Sequence, residues 1–137
     1  MIAVDTSAIV AIVLGEAERP AFLQVIQRAR NALISTVSVV EARVVVHGRR
    51  GQRGIVIVDD VLRLPMFKTT PPGPAEMEAA FAAFVAYGRG SGHRANLNFG
   101  DLFSYALAKV QGLPLLFKGN DFWHTDLRSA AADFADT

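Results

Sequence analysis

Cysteine is missing from all 137 residues, so neither a disulfide framework nor a thiolate zinc site is available to this chain. Long apolar runs are missing too. No uninterrupted segment approaches the ~20 residues that span a bilayer, and the start, Met1-Ile2-Ala3-Val4-Asp5, lacks the basic flank and apolar stretch of a signal peptide. The expected setting is soluble and cytoplasmic, with no membrane contact. An excess of one charge is also absent: 14 Lys plus Arg face 13 Asp plus Glu, a net of +1, which excludes the broad basic footprint of a dedicated nucleic-acid binder. The three histidines, His47, His93 and His124, follow no H-E-x-x-H or similar spacing, so a histidine-held zinc is not expected.

What is present is apolar material, 51% of the chain with no low-complexity tract, enough for one domain over residues 1–137 with a sizeable core. Apolar runs of strand length at 2–4, 32–34, 67–69 and 113–117 alternate with helical patterns. The first helix spans 7–14 and stops at Gly15, and Pro20 opens the second with Phe22, Leu23, Val25 and Ile26 as its buried side. Residues 37–47 suit a helix with Ser38, Glu41 and Arg43 along an exposed edge, and 55–64, after Gly48, Gly51 and Gly54, fits either a helix or a strand, with helix preferred, closed by Pro65. In 75–87, Met77, Phe81, Phe84 and Val85 have the spacing of an amphipathic face. Residues 99–111 form the last long helix, and a short helix or turn begins at Asp121. Strands separated by helices argue an α/β fold, a parallel sheet flanked by helices, whose ligands bind outside the carboxyl ends of the strands.

Carboxylates recur at that edge. Val4-Asp5-Thr6-Ser7, Ser38-Val39-Val40-Glu41, Asn98-Phe99-Gly100-Asp101 and Gly119-Asn120-Asp121-Phe122 each put an acid at or near an expected helix start. Each has a structural explanation by itself. Asp5 suits an N-cap, Ser38 with Glu41 matches a capping box, Asn98 with Asp101 is a looser version of it, and Asn120-Asp121 suits a turn. Taken together they imply a divalent cation, because four carboxylates at one point repel one another unless a cation lies between them. Two basic groups, Arg43, Arg49, Arg50 and Arg53, then Arg89, His93 and Arg94, fit solvated loops singly and an entrance for phosphates jointly. Lys118 is a further candidate for a phosphate. Phe122 and Trp123 are expected to pack against the sheet.

The pieces Ile2-Ala3-Val4-Asp5-Thr6-Ser7-Ala8, Ser38-Val39-Val40-Glu41-Ala42, Leu97-Asn98-Phe99-Gly100-Asp101 with Tyr105-Ala106-Leu107-Ala108, and Leu115-Leu116-Phe117-Lys118-Gly119-Asn120-Asp121-Phe122 resemble the PIN domain. More narrowly they resemble the VapC toxins of bacterial type II toxin–antitoxin pairs, from residue 1 to about residue 127. The resemblance implies a PIN-like three-layer fold and an endoribonuclease dependent on Mg²⁺ or Mn²⁺. Asp5 and Asp101 would be its main metal ligands, Glu41 the third acid and Asp121 the fourth. It departs at that fourth position, where close relatives often carry two adjacent aspartates and this chain has Asn120-Asp121; Asp126 is a remote substitute.

The residue types suit the chemistry in their own right. Hard carboxylate oxygens fit Mg²⁺, which keeps several of its waters and needs only one or two direct protein ligands. Metal-activated water would attack the phosphodiester, with Glu41 or Asp121 orienting it or taking its proton; Thr6 or Ser7 could bond a metal ligand or a phosphate, against a packing or capping role that is the expectation for Thr6 and an equal alternative for Ser7. A dehalogenase-like phosphatase would need a second Asp where Ser7 stands, and a receiver domain would need one in Phe67-Lys68-Thr69-Thr70. The non-enzymatic alternative is a PIN module that binds RNA or protein without cutting. The resemblance also implies a homodimer neutralised by a VapB-like antitoxin covering the active site. Residues 37–46 and 79–84 carry more apolar side chains than one face needs, which is compatible with an interface.

Overall fold

A computed structural model describes residues 1–135. Four short strands, β1 (Ile2–Val4), β2 (Ala32–Ser35), β3 (Phe67–Thr70) and β4 (Leu115–Leu116), form one parallel sheet in the order β3-β2-β1-β4. Parallel neighbours cannot be joined by tight hairpins, so helical crossovers connect them. The helices are α1 (Thr6–Val13), α2 (Arg19–Ala29), α3 (Thr36–Leu62), α4 (Pro74–Tyr87), α5 (Phe99–Gln111) and α6 (Ala130–Asp133), with a 3₁₀ turn at Asp121–His124. None of the described helices is long and apolar enough to cross a membrane.

Alternation along the buried strands separates two cores. Ile2, Val4, Ile34 and Leu116 face α1, α2, α3 and α6, where Ile9, Phe22, Ile26, Val46, Val58 and Ala130 pack. Ala3, Leu33, Leu115 and Phe117 face the other way, against Ala80, Ala83, Leu102, Tyr105 and Leu107 of α4 and α5. Side chains of period 2 on a sheet covered on both sides require this division. The chain leaves β1 toward β2 on one side, and β4 joins β1 on the other. The crevice beyond the carboxyl end of β1 is thus the topological switch point.

Helix α3 is bent into two arms, 36–50 and 52–62, at Gly51, whose φ of 61° and ψ of −152° suit glycine. Arg43 of the first arm meets Asp59 of the second at 2.8 Å. On a straight helix sixteen residues would span about 24 Å, so the arms fold back as a hairpin.

Several expectations about faces and ends are corrected. Leu23 is exposed rather than buried, and α2 turns Phe22, Val25 and Ile26 inward. On α4, Met77, Phe81, Phe84 and Val85 point outward, with Phe81 65% exposed, and the small Ala80 and Ala83 make the buried contact. Ser38 is fully buried, not on an exposed edge. Helix α3 begins earlier than the Ser38-x-x-Glu41 pattern implies: Ser35 is the N-cap and accepts from the Val37 N–H at 3.2 Å. Glu41 therefore lies in the second turn rather than at a cap. Phe122 is buried as expected, whereas Trp123 is 54% exposed and meets Phe117 edge-on.

Candidate active site

Asp5 follows directly on β1 and caps α1. Its N–H donates to the Leu116 carbonyl at 2.9 Å, tying it to β4. Its carboxylate is almost wholly buried and satisfied on both oxygens. Oδ2 accepts from the Ser7 N–H at 3.0 Å and the Ser7 hydroxyl at 2.6 Å, and Oδ1 accepts from the Ser104 hydroxyl at 2.5 Å. Ser7 Oγ in turn accepts from the Lys118 N–H at 3.0 Å, so the loop after β4 helps to fix the first acid.

Asp101 sits in the first turn of α5. The Asn98 side chain accepts from the Asp101 N–H at 2.9 Å, and Asp101 Oδ2 accepts from the Asn98 N–H at 3.0 Å, the reciprocal capping arrangement the sequence suggests. Burial pushes the Asp101 carboxyl up from 3.8 to about 7; the bond from Asn98 opposes this, and the charges of Asp5, Asp121 and Glu41 add to it. The Glu41 carboxylate lies over Gly100, where a Cβ would collide with it. Glycine at that position lets the two helices bring Glu41 and Asp101 together.

Asp5, Glu41 and Asp101 line one open pocket of about 310 Å³, together with Thr6, Ser7, Glu16, Arg49, Asn98 and Lys118. Asp121 does not line it. It is exposed at the start of the 3₁₀ turn, and its charge nonetheless reaches Asp101. Among the described residues no three histidine or acidic side chains converge closely enough, as they stand, to enclose an ion. The set is an open arc, and an open arc of hard oxygen donors fits Mg²⁺ or Mn²⁺, which retain water ligands. A half-buried carboxyl raised first by burial and then by three acidic neighbours is the electrostatic counterpart of such a donor set.

The other candidates divide. Arg49 is on the pocket wall, and Arg89 lines the adjoining cleft with Glu41 and Asn98. Arg43 is paired with Asp59. Lys118 reaches the pocket but its ammonium lies 3.3 Å from Glu16 and 3.2 Å from Glu18. Asp126, the remote substitute, is engaged elsewhere: Tyr105 donates to it at 2.6 Å and Lys109 at 2.6 Å. Burial alone would raise Asp126, and those bonds outweigh burial and hold it below the ordinary carboxylate value. Thr6 is buried and donates to the Ser38 carbonyl at 3.1 Å, the packing role expected of it. Ser104 was not legible as a site residue. The one available signal is its place three residues after Asp101, on the same face of α5.

The PIN domain family model matches residues 2–127. The chain is 42% identical over 127 residues to the VapC ribonuclease Mb2780c of Mycobacterium bovis, covering 93% of this chain and 97% of that protein. It is 41% identical over 128 residues to ribonuclease VapC30 of Mycobacterium tuberculosis, with the same coverage. Among solved structures, VapC20 of Mycobacterium tuberculosis, described as a toxin that cleaves the sarcin–ricin loop, superposes with a TM-score of 0.75 at 18% identity, covering 93% of this chain and 96% of that one. A toxin–antitoxin complex from Klebsiella pneumoniae gives 0.63 at 18% identity, covering 89% and 90%. These two likenesses bear on the fold, a parallel sheet flanked by helices.

Proposed function

The chain belongs to the PIN-domain family, and from that membership we propose that it is a ribonuclease, the toxin of a VapBC-type toxin–antitoxin pair, acting on RNA in the cytoplasm. The observation that supports this best is the pocket where Asp5, Glu41 and Asp101 meet, with the Asp101 carboxyl raised to about 7. In this reading Asp5 and Asp101 hold Mg²⁺ or Mn²⁺, and Glu41 and Asp121 complete the catalytic set. A cation held there would supply positive charge against the phosphodiester and lower the pKa of a bound water. Glu41, seated over the first turn of α5, would take on its carboxylate the proton that the attacking water gives up. Arg49 on the wall offsets phosphate charge. Ser7 and Ser104 keep the Asp5 carboxylate in place.

The test is incubation of antitoxin-free protein with a mixed RNA pool. Cutting that requires Mg²⁺ or Mn²⁺ and stops on chelation is the expected result. RNA retarded on a gel without shortening, with or without metal, would instead assign a binding module that does not cut.

Two partners belong to the same proposal. A VapB-like antitoxin covers the active site, in keeping with the toxin–antitoxin complex that shares the fold. A second copy of the chain packs on the outward apolar groove of α4 and α5, about 380 Å³ between Met77, Phe81, Phe84, Phe99 and Phe103. Phe81→Glu should convert a two-chain particle into a single chain by light scattering. A wild-type protein that stays monomeric at high concentration removes the homodimer.

A further inference from the structure

The three acids of the pocket sit on three separate elements, and a line of buried hydroxyls beneath them joins those same elements. Thr6, beside Asp5, donates its hydroxyl to the Ser38 carbonyl of α3 at 3.1 Å. Ser38 Oγ lies 3.1 Å from Ser104 Oγ of α5. Ser104 donates to Asp5 Oδ1 at 2.5 Å. Each serine is three residues from an acid on its own helix, Ser38 before Glu41 and Ser104 after Asp101, and both serines are fully buried.

The direction of these bonds follows from chemistry. Ser104 donates its single hydroxyl proton to Asp5 Oδ1, so in its contact with Ser104 the Ser38 hydroxyl is the donor. The protons therefore run one way, from Ser38 to Ser104 to Asp5. A fully buried hydroxyl costs free energy unless paired, and Ser104 is fully buried on a stretch of α5 where Ala106, Leu107 and Ala108 are buried too. Its partner is the most deeply buried acid of the pocket. Among the described residues no buried side-chain polar atom lacks a hydrogen-bond partner, so removing this hydroxyl leaves Oδ1 without its protein donor.

We infer that Ser104, backed by Ser38, is a positioning residue that holds the Asp5 carboxylate at a fixed orientation and spacing from Glu41 and Asp101 for a divalent cation. The inference rests on the metal-centre reading of the pocket. Polar partners of metal ligands are each worth about 10–100-fold in metal affinity, which sets the size of the expected effect.

The experiment is calorimetric titration of the full chain with Mn²⁺, beside melting curves, for the wild type, Ser104→Ala, Ser38→Ala, the double variant and Ser129→Ala. Ser129 is a buried cap of α6, accepting from the Ala132 N–H away from the pocket. Ser104→Ala should bind Mn²⁺ about 10-fold more weakly or worse, Ser38→Ala should lose less, and the double variant should match Ser104→Ala alone. Ser129→Ala should melt earlier with unchanged Mn²⁺ affinity. Wild-type affinity in Ser104→Ala overturns the inference and leaves the metal reading standing. Absence of Mn²⁺ binding by the wild type removes both. Should Ser104→Ala fail to fold, Ser38→Ala decides in its place, and unchanged affinity there overturns the inference.

Discussion

Asp101→Asn should abolish RNA cleavage while making the metal-free protein harder to melt. The two effects share one cause. The Asp101 carboxyl is raised from 3.8 to about 7, by burial and then by the charges of Asp5, Asp121 and Glu41, so at pH 8 the fold carries an ionised group it disfavours. Asparagine keeps an oxygen for the Asn98 N–H and so preserves the start of α5, but it has no charge to repel. Three pH units correspond to about 4 kcal/mol. Partial solvation of the group screens part of this, and roughly 2 kcal/mol is the expected gain, or roughly 8 °C in melting temperature for a chain of this length. On the proposal that Asp101 ligates the cation, its loss should exceed the 10–100-fold range typical of a ligand's hydrogen-bonding partners, so cleavage should fall by more than about 100-fold. Cleavage assays and melting at pH 8 without metal check both halves. An active variant, or one that melts earlier than wild type, sinks the assignment.

The pH dependence of stability should have an uncommon sign. A carboxyl whose folded value lies above its unfolded one binds more protons in the native state, so stability falls as pH rises. For Asp101 that fall spans about pH 4 to about pH 7 and then levels off. Asp126, held low by Lys109 and Tyr105, acts in the opposite sense, its contribution lost as pH falls below about 4. A metal-free melting series should therefore peak near pH 4–5 and decline toward pH 7. Mn²⁺ at about 100 times its dissociation constant should restore roughly 2.7 kcal/mol at pH 8, and far less at pH 5, where protons hold Asp101. Melting temperatures that climb steadily from pH 4 to pH 8 without metal would contradict the electrostatic account of the pocket.

Much of this arrangement was readable in the chain because local chemistry and global fold agree there. Asn98 and Asp101 form a reciprocal cap within four residues, so the start of α5 at Phe99 follows from side chains alone. Asp5 is fixed by the end of a short apolar strand. The failures involve partners distant in sequence. The spacing of Met77, Phe81, Phe84 and Val85 identifies a face of α4 but not what covers it, and α4 approaches α5 through its alanines. Ser38 and Glu41 carry a capping pattern, yet Ser35, at the end of β2, caps first and draws Ser38 into the interior. Ser104 meets Asp5 across 99 residues of chain, a pairing no local pattern contains. The fourth acid is ambiguous for a related reason: Asp121 stands on an exposed 3₁₀ turn, where backbone geometry fixes the side chain only loosely.

The bend at Gly51 extends this to charge. With Arg43 clasped to Asp59 and the arms closed, the tip of the hairpin gathers Arg49, Arg50 and Arg53 into a basic knuckle, and Arg49 reaches the wall of the acid pocket. A chain of net charge +1 thereby sets basic residues beside an acidic pocket. A polyanion would be drawn to the knuckle at long range and delivered to acids that would otherwise repel it. One residue without a side chain sets that polarity, though it touches neither ion nor substrate.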